Sequence, residues 1–161
     1  MATMAEWTNR DRWSALCSGA GCPICQRGEP LDIVATLSVA WVTMHVAPPV
    51  RGYVCLVSKI HAVELHDLAE DTAAAFMQDA RRVSKSLSYV TGAVKINYEI
   101  HGNSIPHLHM HFFPRYRGDQ FEGAPINPKQ AVQPVYLPGE FDQIRRDFLE
   151  ALLPSLPHPI T

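Results

Sequence analysis

Between residues 107 and 113 the chain reads His107-Leu108-His109-Met110-His111-Phe112-Phe113. An extended strand turns successive side chains to opposite faces. The period of two therefore predicts a strand with His107, His109 and His111 on one face and Leu108, Met110 and Phe112 on the other. Such a strand must lie where a core meets a cleft, one face anchored in apolar packing and the other presenting imidazoles. Three imidazoles in a row would cost stability if they did no chemical work. Imidazole serves proton transfer, nucleophilic attack and metal ligation near neutral pH. Two uses fit the pattern at this point: catalysis by the imidazoles themselves, or an all-histidine transition-metal site.

The rest of the chain bounds the setting. With 161 residues, 47% hydrophobic and 19% charged, it has the length and composition of one soluble domain with a real core. A net charge of −2 and a pI near 6.4 are unlike the basic stripe of a general nucleic-acid binder. No apolar run approaches a membrane span. Residues 1–16 mix Glu6, Arg10, Asp11 and Arg12 with two tryptophans, unlike a signal peptide. A cytoplasmic protein is the expectation.

Cys22-Pro23-Ile24-Cys25 is a C-x-x-C motif following the loop-like Ser18-Gly19-Ala20-Gly21. Outside a secreted chain such a motif does metal or redox work. No βαβ unit surrounds it, which favours metal over thioredoxin-type chemistry. Two cysteines are half of a tetrahedral zinc site, and histidine is the expected source of the rest. Cys17 and Cys55 read as ordinary, Cys55 as a small hydrophobe in Tyr53-Val54-Cys55-Leu56-Val57.

Thr8 or Asn9 is placed to cap a short helix ending near Leu16. Strands are predicted over 33–37, 39–44 and 53–57, with a turn at Pro48-Pro49-Val50-Arg51-Gly52. Phe76, Ala80, Val83, Leu87 and Val90 form one helical stripe. Asp67 or Asp71 could cap that helix and Gly92 could end it, leaving Arg81, Arg82 and Lys85 solvated. Val94, Ile96, Tyr98 and Ile100 then alternate as a half-buried strand. His101-Gly102-Asn103-Ser104-Ile105-Pro106 reads as a tight hairpin connection into the histidine strand. A last helix fits 140–153, with Phe141, Ile144, Phe148, Leu149 and Leu152 inward. His66 and His158 read as surface residues. The expected fold is α+β, an antiparallel sheet of about five strands with one long helix and one or two shorter ones. Its core would span about 22–116 of a single 1–161 domain, and 117–161 would form an extension ending in a helix.

These residues resemble the histidine triad superfamily of nucleotide hydrolases and transferases. His107-x-His109-x-His111-Phe112-Phe113 matches its signature. Gly52 to His61 looks like the family strand ending in Pro-Lys-x-His, with Ser58 where proline is usual. Asn97, Gly102, Asn103 and Ser104 resemble the polar loop before the triad, and Pro114-Arg115-Tyr116 the Pro-Arg after it. By resemblance Cys22, Cys25, His61 and His107 would hold a structural zinc, and no organic cofactor is implied. His109 would be the nucleophile on an α-phosphorus, passing through a covalent nucleotidyl–histidine intermediate. His111 would bind phosphate oxygens and assist the leaving group. Asn103 and Ser104 would contact phosphate and leaving group, and Asn97 the nucleotide. His45 falls where a ribose-binding aspartate is usual.

The implied activity is cleavage of a purine nucleoside phosphoramidate or dinucleoside polyphosphate by a homodimer with no nucleic-acid or membrane partner. Two other readings stand beside it: a hydrolase with a catalytic zinc on all three triad histidines, and a non-catalytic nucleotide-binding regulatory module.

Overall fold

The computed structural model describes residues 6–153, so His158 lies outside the described residues. Five strands, β1 (Ile33–Thr36), β2 (Ala40–Thr43), β3 (Val54–Ser58), β4 (Lys95–Glu99) and β5 (His109–Arg115), form one antiparallel sheet ordered β1-β2-β3-β5-β4. The helices are α1 (Arg10–Cys17), α2 (Pro23–Arg27), α3 (Glu70–Thr91) and α4 (Glu140–Leu152). The α+β architecture is thus as expected, with three shorter helices rather than one or two. None of the described helices is long and apolar enough to cross a membrane.

Alternation along the strands sorts the sheet into two faces. Val42, Val54, Leu56, Met110 and Phe112 turn into one core with Phe76, Ala80, Val83 and Leu87 of α3. Ile144, Phe148 and Leu152 of α4 belong to the same cluster, so the C-terminal helix packs on the main core. The opposite face carries a smaller cluster of Phe113, Phe121 and Ile126, with Val50 and Tyr53 against it. Phe113 and Tyr53 share that face with His109 and His111, as the period of two requires.

Local chemistry explains where the elements begin and end. Asn9 caps α1 by accepting a hydrogen bond from Arg12 N. Gly92 ends α3 in the left-handed conformation, at φ 64°. Gly52, at φ 75°, opens β3 where an added Cβ would come within 2.7 Å of Thr91 Cγ2. That contact admits only glycine between the turn and the end of α3.

Several local expectations are corrected. Neither Asp67 nor Asp71 caps α3, whose N-cap is Ala69. Asp67 accepts from Glu64 N in the preceding turn, and Asp71 accepts from Thr72 N. The connection from β4 to β5 spans 100–108 and is no tight hairpin. β5 begins at His109, because the chain before it is held elsewhere. His107 N donates to Ile105 O and Leu108 N to Ala62 O, so 107–108 line up with the end of β3 and not with β4. On β4 only Ile96 is buried. Val94, Tyr98 and Ile100 stay largely exposed at the sheet edge, where no element among the described residues covers them.

Candidate active site and metal cluster

The site grows from the pairing of β3 with β5. Val57 pairs with His109 and Cys55 with His111, which sets the two imidazoles side by side with ring centroids 4.7 Å apart. His109 Nδ1 lies 2.6 Å from the carbonyl oxygen of His107. A carbonyl only accepts, so Nδ1 carries the hydrogen and Nε2 is the unprotonated nitrogen. Burial lowers the His109 pKa against the pull of that hydrogen bond, keeping the ring neutral. His111 is lowered further, to about 4, by burial and then by the charges of His109 and His101. Its Nδ1 lies 2.6 Å from the Tyr53 hydroxyl. The phenol is the better donor of the two, which leaves the His111 Nε2–H free to meet an anion.

The face of β5 that carries the two imidazoles opens on a cavity of about 900 Å³, whose lining includes His111 but not His109. His45, Asn103 and His111 line it, as do Tyr53, Glu99 and His101, which the sequence reading passed over. Pro125, Ile126, Asn127 and Pro128 close one side. Tyr53 was legible in principle, since its parity with Cys55 puts it on the histidine face. The wall at 125–128 had no signal beyond its prolines. Ser104 is exposed on the same turn as Asn103 but is absent from the cavity lining. Asn97 is set apart, lining a smaller depression with Lys95 and Arg115. His45 uses Nδ1 to accept from Ala47 N at 3.0 Å, so its neutral ring offers the cavity a donor where a carboxylate would offer acceptors.

The triad does not converge on a point. Its first histidine turns away to a second cluster, and among the described residues the group that could hold a metal is Cys22, Cys25, His61 and His107, with donor atoms all within 4.8 Å. An all-histidine site is therefore not the arrangement present. His61 Nδ1 and His107 Nδ1 are 3.3 Å apart, Cys25 Sγ is 3.3 Å and 3.5 Å from them, and Cys22 Sγ is 3.5 Å from His107 Nδ1. Tetrahedral zinc bond lengths imply N–N edges of ~3.4 Å and N–S edges of ~3.6 Å. The other ring nitrogens are both committed, His61 Nε2 to Cys17 O and His107 Nε2 to Ser58 O, each at 2.8 Å. Both Nδ1 lone pairs therefore point into the cluster, an arrangement that calls for a cation between them. Burial and the neighbouring Cys22 push the Cys25 thiol up to about 11, so metal binding would have to displace protons. Cys22 is the N-cap of α2 and Cys25 lies within it, a short helix that follows the loop-like 18–21 and that the sequence reading did not assign.

Comparison with known proteins bears on this geometry. A family model described as HIT domain matches residues 27–118. An adenosine 5'-monophosphoramidase from Schizosaccharomyces pombe is 22% identical over 115 residues, covering 68% of this chain and 86% of that enzyme. The crystal structure of a histidine triad protein from Bradyrhizobium japonicum superposes with a TM-score of 0.66 at 26% identity, covering 74% of this chain and 89% of that one. A zinc-bound histidine triad family protein from Mycobacterium smegmatis is similar in fold, with a TM-score of 0.58 at 20% identity over 87% of this chain and 91% of that one.

Proposed function

The chain belongs to the HIT-domain family, and we propose that it is a nucleotide hydrolase or nucleotidyl transferase that cleaves purine nucleoside phosphoramidates at the α-phosphorus through His109. The observation that carries this reading is the 2.6 Å hydrogen bond from His109 Nδ1 to the His107 carbonyl. It frees Nε2 for attack, and burial keeps the ring unprotonated. The phosphoramidate class is favoured over dinucleoside polyphosphates by the similarity to the Schizosaccharomyces pombe monophosphoramidase.

In the first step His109 Nε2 bonds the α-phosphorus and the leaving amine departs. Water then hydrolyses the nucleotidyl–His109 intermediate. His111 holds a non-bridging phosphate oxygen through its Nε2–H, and the Asn103 amide supports the same charge. The nucleoside occupies the cavity between His45, Pro49 and Ile126. Ser104 and Asn97 are left without a direct role in this arrangement.

Cys22, Cys25, His61 and His107 would hold a zinc ion. Bound there it would be structural, since four protein ligands leave no position for water or substrate. The exposed Val94, Tyr98 and Ile100 at the β4 edge, with Tyr89 on α3, support a homodimer through the open sheet edge.

The test is to mix the protein with an adenylate phosphoramidate and with a diadenosine polyphosphate, quench in mild alkali, and weigh the intact chain. A gain of one adenylate that disappears in His109→Ala supports the covalent route. Binding without turnover or adduct would move the protein to the class of non-catalytic nucleotide binders.

A further inference from the structure

Expulsion of an amine requires a proton that the triad does not supply. As the bond to phosphorus breaks, its electron pair passes to the leaving nitrogen, which must be protonated to depart. His107 has both ring nitrogens engaged, one by Ser58 O and the other in the cysteine cluster. His109 uses one nitrogen on the His107 carbonyl and the other on phosphorus. His111 accepts from Tyr53 on one side and meets phosphate on the other. With burial holding its pKa near 4, it is a hydrogen-bond donor rather than an acid at neutral pH.

An imidazole outside the triad stands at the cavity that His111 lines. His101 lines it beside Glu99, Asn103 and His111, with its ring centroid 5.9 Å from that of His111. Its Nε2 is 2.8 Å from Glu99 Oε2. Glu99 pairs with His111 across β4 and β5, so sheet register brings the carboxylate to the triad. His101 follows just past the strand end, where Gly102 at φ 69° turns the chain back. The His101 side chain is 52% exposed and that of Glu99 is 20%, which sets the pair at the solvent side of the cavity they both line. A carboxylate on one ring nitrogen fixes which nitrogen exchanges the working proton, the role such a group plays beside a general acid–base histidine. With Nε2 on Glu99, that nitrogen is Nδ1.

We infer that His101, oriented by Glu99, donates the proton to the leaving group, an inference that rests on His109 being the nucleophile. In the first step the P–N bond to the leaving amine breaks as the His109 Nε2–P bond forms. The amine nitrogen keeps the electron pair and takes the proton from His101 Nδ1. In the second step neutral His101 accepts a proton from the attacking water, whose oxygen bonds phosphorus. The pair of the P–Nε2 bond returns to His109, and proton and charge are restored. The substrates that need this device are phosphoramidates of basic alkylamines, the poorest leaving groups of the class.

The experiment compares wild type, His101→Asn and Glu99→Gln on two adenylates. One is an alkylamine phosphoramidate; the other is a p-nitrophenyl ester, whose phenolate leaves without a proton. His101→Asn is expected to lower kcat/KM on the alkylamine roughly 100-fold more than on the ester, and Glu99→Gln to act in the same direction less strongly. Equal losses on both substrates, or loss on neither, would overturn the inference while the nucleophile assignment stands. A wild type that turns over neither substrate and forms no adduct would remove the nucleophile reading, and this inference with it. Glu99→Gln retains the side chain and His101 sits on an exposed turn, so circular dichroism of both variants should match wild type.

Discussion

The Tyr53 hydroxyl and His111 Nδ1 are 2.6 Å apart, with the phenol ring inclined 27° to the imidazole. Tyr53 also leans on Phe113, at 5.1 Å between centroids, so the apolar cluster on this face holds the ring that orients His111. Tyr53→Phe keeps the packing and removes the hydroxyl. His111 is then free to carry its hydrogen on Nδ1, which leaves Nε2 no donor for phosphate. Losing one such hydrogen bond is worth about 1 kcal/mol, so KM should rise roughly fivefold with kcat less affected. An unchanged KM in steady-state assays would show that the hydroxyl does not orient His111.

His109→Ala should abolish the nucleotidyl adduct and lower turnover at least about 1000-fold, because the two-step route is lost and not merely slowed. His109 is half-buried on the cavity side of β5, so the thermal midpoint should move little. An adduct that survives and maps to another residue would sink the assignment.

The Cys22 cluster makes a separate claim about stability. Native mass spectrometry should find about one zinc per chain, and Cys22→Ser should lose it. A ligand at a thousandfold excess over its Kd stabilises the folded state by about 4 kcal/mol, so chelation should lower the unfolding midpoint by several degrees. Adduct formation on His109 should persist after chelation at temperatures where the chain remains folded. Zinc-free protein with an unaltered melting curve would argue that the four side chains hold no metal.

Much of this was readable from residue order, and the reasons differ by element. The strand face of Met110 and Phe112 and the stripe of α3 are periodic, and periodicity survives folding because burial rewards it. The cluster of Cys22, Cys25, His61 and His107 came by resemblance, since nothing local links residue 22 to residue 107. Tertiary pairings with no period were illegible. Asp79 lies on the spacing of the buried stripe but carries a charge that reads as surface; it is buried and accepts from Ser38 Oγ and Val39 N at 3.1 and 3.2 Å, which ties α3 to the β1–β2 turn. The His101–Glu99 pair was hidden because it joins a strand residue to the turn after it, and the wall at 125–128 depends on a loop held by Arg115, by the Asp119 and Gln120 side chains and by packing of Phe121 and Ile126.

The exposed edge of β4 is the surface through which the proposed dimer would form. Tyr98 is 52% exposed while its ring still touches Phe112 at 5.4 Å, so the residue bridges core and surface. Tyr98→Asp should leave the fold intact and convert a dimer to monomers in sedimentation. A wild type that sediments as a monomer at micromolar concentration would remove the dimer.

Arg115 organises the far wall of the cavity. Its Nε and one terminal nitrogen each lie 2.9 Å from an Asp119 oxygen, that same terminal nitrogen also donates to Phe121 O, and the other donates to Ala124 O at 2.9 Å. The guanidinium thus holds residues 116–124 and brings 125–128 to the cavity. Both side chains are nearly buried, 10% and 13% exposed, so Arg115→Ala would strand a carboxylate and should cost about 3 kcal/mol. The same pair sets an acid limit. Hydrogen bonds from Arg115 lower the Asp119 pKa from 3.8 to about 2. A depressed carboxylate stabilises the fold above its unfolded pKa and ceases to do so as protonation sets in. Its contribution, on the order of 2 kcal/mol, is therefore complete above about pH 4 and disappears as pH falls towards 2. Asp119→Asn should flatten the stability curve in that window and raise the KM for nucleotide by loosening the wall. Acid denaturation curves of wild type and variant that run parallel from pH 5 to 2 would show that the pair does not carry the acid limit.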